Sequence, residues 1–338
     1  MMKRFKELLA GDELIPLFAT GRMIHPVVIE IFGLAGGYRG FWIDQEHVGV
    51  TSSDITVAAL AGKAHDMDCF VRMPPVGYWQ VTQAYESGAG GVMAAQINSA
   101  EQAREFVSWA KYAPEGTRGL NTGGRDADYT FKSLADVVVE TNREHFVAIQ
   151  IETLGALEEA DAIAALGGVD LLFIGPADLS LALGVVGQFN HDKVWEAIRS
   201  VAAACARHGK HWGAVIPNAE FGGRALDDGC RMPTIGNDLH ALRHGVLALQ
   251  DVHALFQAFV LLGGLIVSLV LLLVYEGGPG EVLALASEKG KFAMLNLNWS
   301  FTELATWSML LGTMMLQFGP YTTDQAVVQR YMTTKDEA

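Results

Sequence analysis

Cysteine is scarce in this 338-residue chain. Its three cysteines, Cys69, Cys205 and Cys230, form neither a disulfide framework nor a zinc-ligand spacing, which points to a reducing compartment and to thiols without a metal role. Positive charge is also short: 24 Lys and Arg against 38 Asp and Glu leave a net charge of −14. There is no basic run and no interleaving of aromatic and basic residues. Nucleic acid is therefore excluded as a partner, because a phosphate-binding surface needs clustered cations. No glycine-rich dinucleotide fingerprint follows the first apolar run. The N-terminal residues Met1 to Ala10 lack a long apolar core and a cleavage site, and read as a short amphipathic helix rather than a signal peptide.

What is present divides at about Gln257. Before it, apolar and charged stretches alternate as in a soluble enzyme; from Ala258 the sequence reads as membrane. The mean hydropathy of +0.23 and the 50% hydrophobic content average these two unlike parts. In the first part, candidate strands fall at Leu14–Ala19, Gly40–Asp44, Cys69–Met73, Gly91–Ala95, Phe146–Glu152, Val169–Ile174, Trp212–Ile216 and Arg231–Ile235. Helical spacing lies between them, as in Ser53–His65, Ala100–Tyr112, Leu154–Leu166 and Asp192–His208. Short apolar strands alternating with helices predict an α/β fold with a parallel sheet and right-handed crossovers. Eight such units in about 250 residues match a (β/α)8 TIM barrel better than an open doubly wound sheet. The glycine-rich stretch from Pro114 to Tyr129, with Arg118 and Arg125, reads equally as a cover for the barrel mouth or as a long surface connection.

In a barrel of this kind the C-terminal strand tips carry the working residues. Here they hold Asp44-Gln45-Glu46-His47, Arg72 before Pro74-Pro75, Gln96, Glu152, and Asp178 just past the sixth strand. Glu152 and Asp178, at the tips of neighbouring strands, suit a hard divalent cation. Asp44 stands three residues before His47, where a carboxylate can fix the imidazole tautomer and raise its basicity; an exposed acid beside an exposed histidine is the bland alternative. Arg72 pairs with a structural acid or forks onto a carboxylate and adjacent carbonyl, and the rigid loop after it favours a positioning role. No barrel lysine (Lys3, Lys6, Lys63, Lys111, Lys132, Lys193, Lys210) falls at a C-terminal tip, so stabilising a carbanion would pass to a metal rather than to a Schiff base.

The runs Ile43-Asp44-Gln45-Glu46-His47, Val71-Arg72, Gln150-Ile151-Glu152-Thr153 and Phe173-Ile174-Gly175-Pro176-Ala177-Asp178-Leu179-Ser180 resemble the HpcH/HpaI family of metal-dependent 2-oxo acid aldolases over residues 5–255. The resemblance implies a class II aldolase that makes or breaks a carbon–carbon bond in 4-hydroxy-2-oxo acids, giving pyruvate or a related 2-oxo acid plus an aldehyde. It implies that Glu152 and Asp178 bind Mg2+ or Mn2+, that Arg72 polarises the oxo group, and that His47, oriented by Asp44, relays protons. It further implies that the amides of Ala177 and Asp178 receive the substrate carboxylate, and that Glu86 serves a neighbouring subunit in a homo-oligomer assembled through the barrel. The chain departs from the family pattern at Ala95, where the family has proline, and at Phe18-Ala19-Thr20-Gly21-Arg22. Both stretches line the aldehyde half of the pocket, where Arg22 and Gln96 either read a polar or acidic tail or are structural. A lyase acting on a CoA thioester is a rival reading, and it would need a basic groove.

Residues Ala258 to Tyr275 carry no charge and span about 27 Å as a helix, near the ~30 Å of a hydrocarbon core. A second, weaker span is expected at Leu304 to Phe318, with Trp299 and Trp307 as interface anchors. The run Tyr321 to Tyr331 resembles an internal piece of the sodium:solute symporter family. The expected architecture is thus a barrel over 1–256 and a two-helix transmembrane hairpin within 257–338. The barrel faces the cytoplasm, tied to the membrane through 258–319. Two helices cannot build a transporter's midplane site. A gene fusion or truncation explains the junction better than a transport component that uses the barrel as a binding module.

Overall fold

The computed structural model describes residues 2–275 and 278–288. Eight parallel strands close into a barrel in sequential order. In its first half the chain forms α1 (Phe5–Ala10), β1 (Leu17–Thr20), α2 (Pro26–Ala35), β2 (Gly40–Asp44), α3 (Ser52–Ala64), β3 (Asp68–Met73), α4 (Tyr78–Glu86), β4 (Gly91–Ala94) and α5 (Ala100–Ala110). It continues through α6 (Leu134–Glu144), β5 (Phe146–Ile151), α7 (Leu154–Glu158), α8 (Ala160–Ala164), β6 (Leu171–Ile174), α9 (Pro176–Ala182), α10 (Asp192–Arg207), β7 (His211–Val215), α11 (Ala219–Asp227) and β8 (Met232–Asn237). The long α12 (Asp238–Tyr275) and α13 (Pro279–Glu288) complete the described elements. The predicted (β/α)8 barrel is observed, with every strand found within a few residues of its expected place.

The strands read as unbroken apolar runs because both faces are buried. Phe18, Phe41, Val71, Val92, Ile149 and Leu172 face the helices. Leu17, Trp42, Phe70, Met93, Ala148 and Phe173 fill the barrel interior. Successive side chains alternate between these layers. Trp42 pairs with Phe70, and two residues further on Asp44 pairs with Arg72. The same alternation carries Gln150 and Glu152 onto the inner face with Ala148. Polar residues therefore emerge inside the barrel only where the apolar filling ends, at the mouth.

The N-terminal segment stops the other end. The ring of Phe5 lies 5.5 Å from those of Phe70 and Phe146. Asp68 anchors the helix, accepting Arg4 Nη1 at 3.0 Å and the Phe5 amide at 3.3 Å. The stretch from Pro114 to Tyr129 belongs to this end as well. Arg118 is fully buried there, 2.6 Å from Asp126 and stacked over Tyr85 and Tyr112. Tyr85 in turn donates its hydroxyl to the carbonyl of Phe146, where β5 begins. Of the two readings open for this stretch, the surface connection is the one observed.

The helix expected over Leu154–Leu166 is two short helices. They meet at Glu159, whose backbone (φ −99°, ψ 14°) leaves the helical region. Its carboxylate accepts the amide of Ala100 at 2.6 Å, a bond to the start of α5 that a continuous helix would not supply.

Residues 2–247 form one compact unit, and the described residues beyond it belong to a second. Within the first unit, the opening turns of α12 are exposed, with Leu239 at 47% and Leu242 at 53%. They do not cover the barrel as an eighth helix would, and α2 keeps Val27, Ile31 and Leu34 exposed along one stripe. The segment Asp238–Ser268 of α12 is long and apolar enough to cross a membrane, with a mean hydropathy of 1.6 and none of its apolar window buried. The second expected span at Leu304–Phe318 and the symporter-like run at 321–331 lie outside the described residues.

Candidate active site

Arg72 organises one side of the mouth. Strand alternation turns it inward, and its guanidinium lies 4.7 Å above the Trp42 ring. Asp44 grips it twice, Oδ2 at 2.9 Å from Nη2 and Oδ1 at 3.3 Å from Nε. Asp44 Oδ1 also accepts the amides of Glu46 (3.0 Å) and His47 (3.3 Å), which fixes the turn after β2. Both Asp44 oxygens are thereby committed to Arg72 and the backbone. The imidazole of His47 instead faces Glu46, with Nε2 3.6 Å from Oε2. That oxygen is buried, lies 3.3 Å from Arg72 Nη1, and makes no aligned hydrogen bond. In this arrangement Asp44 holds Arg72 and the backbone of the turn, and its carboxylate makes no hydrogen bond to the His47 ring. His47 itself is half exposed at the rim.

Glu152 forms the other side and is only 2% exposed. Gln96 donates to its Oε1 twice, from its backbone amide at 2.8 Å and from its side chain at 3.1 Å. The Gln150 side chain donates to Oε2. Gln96 adopts φ +53° to aim its amide, a left-handed backbone that carries roughly 1–3 kcal/mol of strain for a non-glycine residue. Gln96, expected either to read a substrate tail or to be structural, here donates from its backbone and its side chain to Glu152. Burial pushes the Glu152 carboxyl up to about 7. The Gln96 amide opposes the rise, the Glu46 and Asp178 carboxylates add to it, and Arg72 counters it.

Asp178 stands in the first turn of α9, half-buried, and its carboxylate makes no hydrogen bond or ion pair among the described residues. No side chain caps this helix, so the amides behind Pro176 have no capping acceptor. Gly175 leaves room for the Glu152 cluster: a Cβ there would fill the space beside Glu152 Oε2 and Gln150 Nε2.

The donor set fits a divalent cation. Glu152 and Asp178 are hard oxygen ligands, Glu152 carries a carboxylate charge that its surroundings oppose, and the cradle at Gly175 is kept open. Among the described residues no three His, Cys, Asp or Glu side chains form a complete cage. Two carboxylates with open positions are what Mg2+ uses when it keeps water and binds a substrate oxygen.

Glu86, at the end of α4, lies apart from this constellation and packs beside Gly124 in the stretch far from the mouth. The barrel lysines are absent from the mouth too. Lys111 is 1% exposed and donates to the carbonyls of Asn142 and His145, each at 3.0 Å, beside the start of β5. Burial lowers its pKa to about 8.

A profile of the HpcH/HpaI aldolase/citrate lyase family matches residues 37–245, well over half of the chain. The chain belongs to that family. It is 29% identical to the 5-keto-4-deoxy-D-glucarate aldolase of Klebsiella pneumoniae subsp. pneumoniae over 248 residues, 73% of this chain and 95% of that protein. Among solved structures, the HpcH/HpaI aldolase from Desulfitobacterium hafniense DCB-2 superposes with a TM-score of 0.69 at 31% identity, covering 74% of this chain and 96% of that one. A family protein from Burkholderia cenocepacia J2315 gives 0.67 at 29% identity, covering 73% and 97%. This HpcH/HpaI protein is accordingly a carbon–carbon lyase. The residues missed in the sequence are Gln150 and Glu46. Both were within reach, because strand alternation puts Gln150 on the face of Glu152, and Glu46 sits inside the Asp44–His47 run.

Proposed function

We propose that this chain is a divalent-metal-dependent aldolase cleaving or forming 4-hydroxy-2-oxo acids, with pyruvate or a related 2-oxo acid as one partner and an aldehyde as the other. The observation that carries the reading is the pairing of Glu152, held by Gln96 and Gln150, with an unengaged Asp178 at the next strand tip. Glu152 and Asp178 would hold Mg2+ or Mn2+, which when bound would supply Lewis-acid stabilisation for an enolate. Arg72, locked by Asp44 and Glu46, donates to the oxo oxygen. The amides of Ala177 and Asp178 donate to the substrate carboxylate at the uncapped start of α9. His47, backed by Glu46, takes the proton of the 4-hydroxyl on cleavage and returns it on synthesis.

Glu86 acts on a neighbouring copy rather than on its own mouth, from which it stands apart. The exposed stripe of Val27, Ile31 and Leu34 on α2 supports assembly of copies through the barrel. The apolar part of α12 supports a membrane-bound tail.

The test is pyruvate release by the full chain, in mild detergent, from a panel of 4-hydroxy-2-oxo acids. EDTA abolishes release, and Mg2+ or Mn2+ restores it. Release that persists under chelation and stops on borohydride treatment would establish a lysine mechanism instead.

A further inference from the structure

The end of the barrel opposite the mouth contains a cavity of about 80 Å3. A single water takes up about 10–15 Å3 of such space, so there is room for several waters or one small ion. Three basic residues line it: Arg4 just before α1, Lys63 in the last turn of α3, and Arg125 in the stretch after α5. The acids that line it are Asp68, Asp126 and Asp128. Each acid already has a basic partner. Asp68 lies 3.0 Å from Arg4 Nη1, Asp126 2.6 Å from Arg118 Nη2, and Asp128 3.3 Å from Lys132 Nζ. Of the three basic residues only Arg4 is matched in return. Lys63 and Arg125 form no ion pair among the described residues. In a chain with a net charge of −14, two unmatched cations at one cavity suit a negative occupant, not a metal or a zwitterion.

The backbone makes room for Arg125. A Cβ on Gly88 would lie 2.7 Å from Arg125 Nε, and Gly88 has a φ of +106° that side chains rarely tolerate, so glycine admits the guanidinium. Nη1 donates to the Tyr129 hydroxyl at 3.2 Å, while Nε is buried without an acceptor. The guanidinium as a whole is therefore short of acceptors. His145, 5% exposed, also lines the cavity. Its Nδ1 lies 3.5 Å from Arg118 Nη1, which can only donate, so Nε2 carries the ring proton. Burial and the cations Arg118, Arg4, Lys111 and Lys132 keep this imidazole neutral. Surroundings that refuse a proton are favourable to an anion. The basic groups come from three separate segments, an arrangement that serves a tetrahedral oxyanion better than a planar carboxylate.

We propose that this cavity is a binding site for a small inorganic oxyanion of the phosphate type, with Lys63 and Arg125 as its charged ligands. It lies at the far end of the barrel from Glu152 and Asp178 and does not depend on the aldolase reading. Arg4 and Asp68, which anchor α1 across this end, line the same cavity, so a bound oxyanion stabilises the closed end of the barrel.

The experiment titrates the full-length protein, treated with EDTA and held in mild detergent at neutral pH, with inorganic phosphate. Nuclear magnetic resonance of isotope-labelled histidine rings follows the binding, and the His145 signal is assigned by its loss in His145→Phe. In the wild type the His145 signal shifts and saturates. Lys63→Ala and Arg125→Gln each weaken the affinity read from that signal at least tenfold, as loss of one charge-assisted contact requires. Lys63 is exposed, so its truncation spares the fold and keeps the test valid should Arg125→Gln fail to fold. Arg72→Gln, a change at the mouth, leaves the affinity within twofold of wild type. A wild-type His145 signal that does not respond to phosphate overturns the proposal. So does an affinity that is unchanged in Lys63→Ala, or one that is lost in Arg72→Gln.

Discussion

Glu152 is a carboxylate in a setting that opposes its charge: buried, faced by two further acids, and pushed up to about 7. The surrounding amides of Gln96 and Gln150 hold its position but bring no full positive charge. A divalent cation at this point offsets all three acids at once, which gives the arrangement a physical purpose. His47 has a different task. Its imidazole lies at the rim and faces Glu46, with Nε2 3.6 Å from Oε2. His47→Ala is therefore expected to lower kcat for aldol cleavage about a hundredfold to ten-thousandfold, the range for a positioned general base, with metal affinity within a few fold of wild type. Steady-state turnover combined with metal titration checks this; a matching loss of metal affinity would make His47 a ligand instead.

At the scale of elements, the strands were legible because burial on both faces writes them as apolar runs, and their alternation places the polar tips. Their ends were less legible. The strand expected from Val169 begins at Leu171, and just before it the Asp170 side chain accepts the amide of Val147 at 2.9 Å. The break between α7 and α8 coincides with a carboxylate–amide bond from Glu159 to the start of α5, which no local pattern contains. Likewise, the engagement of Gln96 with Glu152 is a contact across strands, and the residue's spacing alone left open whether it reads a substrate tail or is structural. The layer under the barrel carries its own pH dependence. His145 stacks on Tyr85 with ring centroids 4.1 Å apart. Burial, reinforced by Arg118, Arg4, Lys111 and Lys132, holds its pKa well below the ordinary 6.5. The unfolded chain takes up a proton at this residue below pH 6.5 that the folded chain refuses. Its contribution to stability is thus complete above that pH and is lost as pH falls, by up to about 1.4 kcal/mol per pH unit. His145→Phe keeps the stacked ring and removes this term. The drop in urea midpoint between pH 7 and pH 5 becomes shallower in that variant; an unchanged drop would assign the acid sensitivity elsewhere.

For the whole molecule, the closed barrel and most of the mouth follow from the first 250 or so residues of pattern, whereas the relation of the chain to its surroundings does not. A monomer leaves Val27, Ile31 and Leu34 on α2 facing water, beside a mouth whose expected acid, Glu86, lies elsewhere. Light scattering of the detergent-solubilised full chain is expected to give a multiple of the 36.5 kDa chain mass after the detergent contribution is subtracted, and Ile31→Glu to shift the population toward the monomer. A wild-type monomer that is fully active would contradict assembly through this face.

The central claim concerns one cation and two acids, and direct binding tests it most simply. Titration of the full chain with Mn2+, followed by the electron paramagnetic resonance signal of free ion, is predicted to show one site per chain in the wild type and at least tenfold weaker binding in both Glu152→Gln and Asp178→Asn. Equal Mn2+ affinity in wild type and both variants would contradict it.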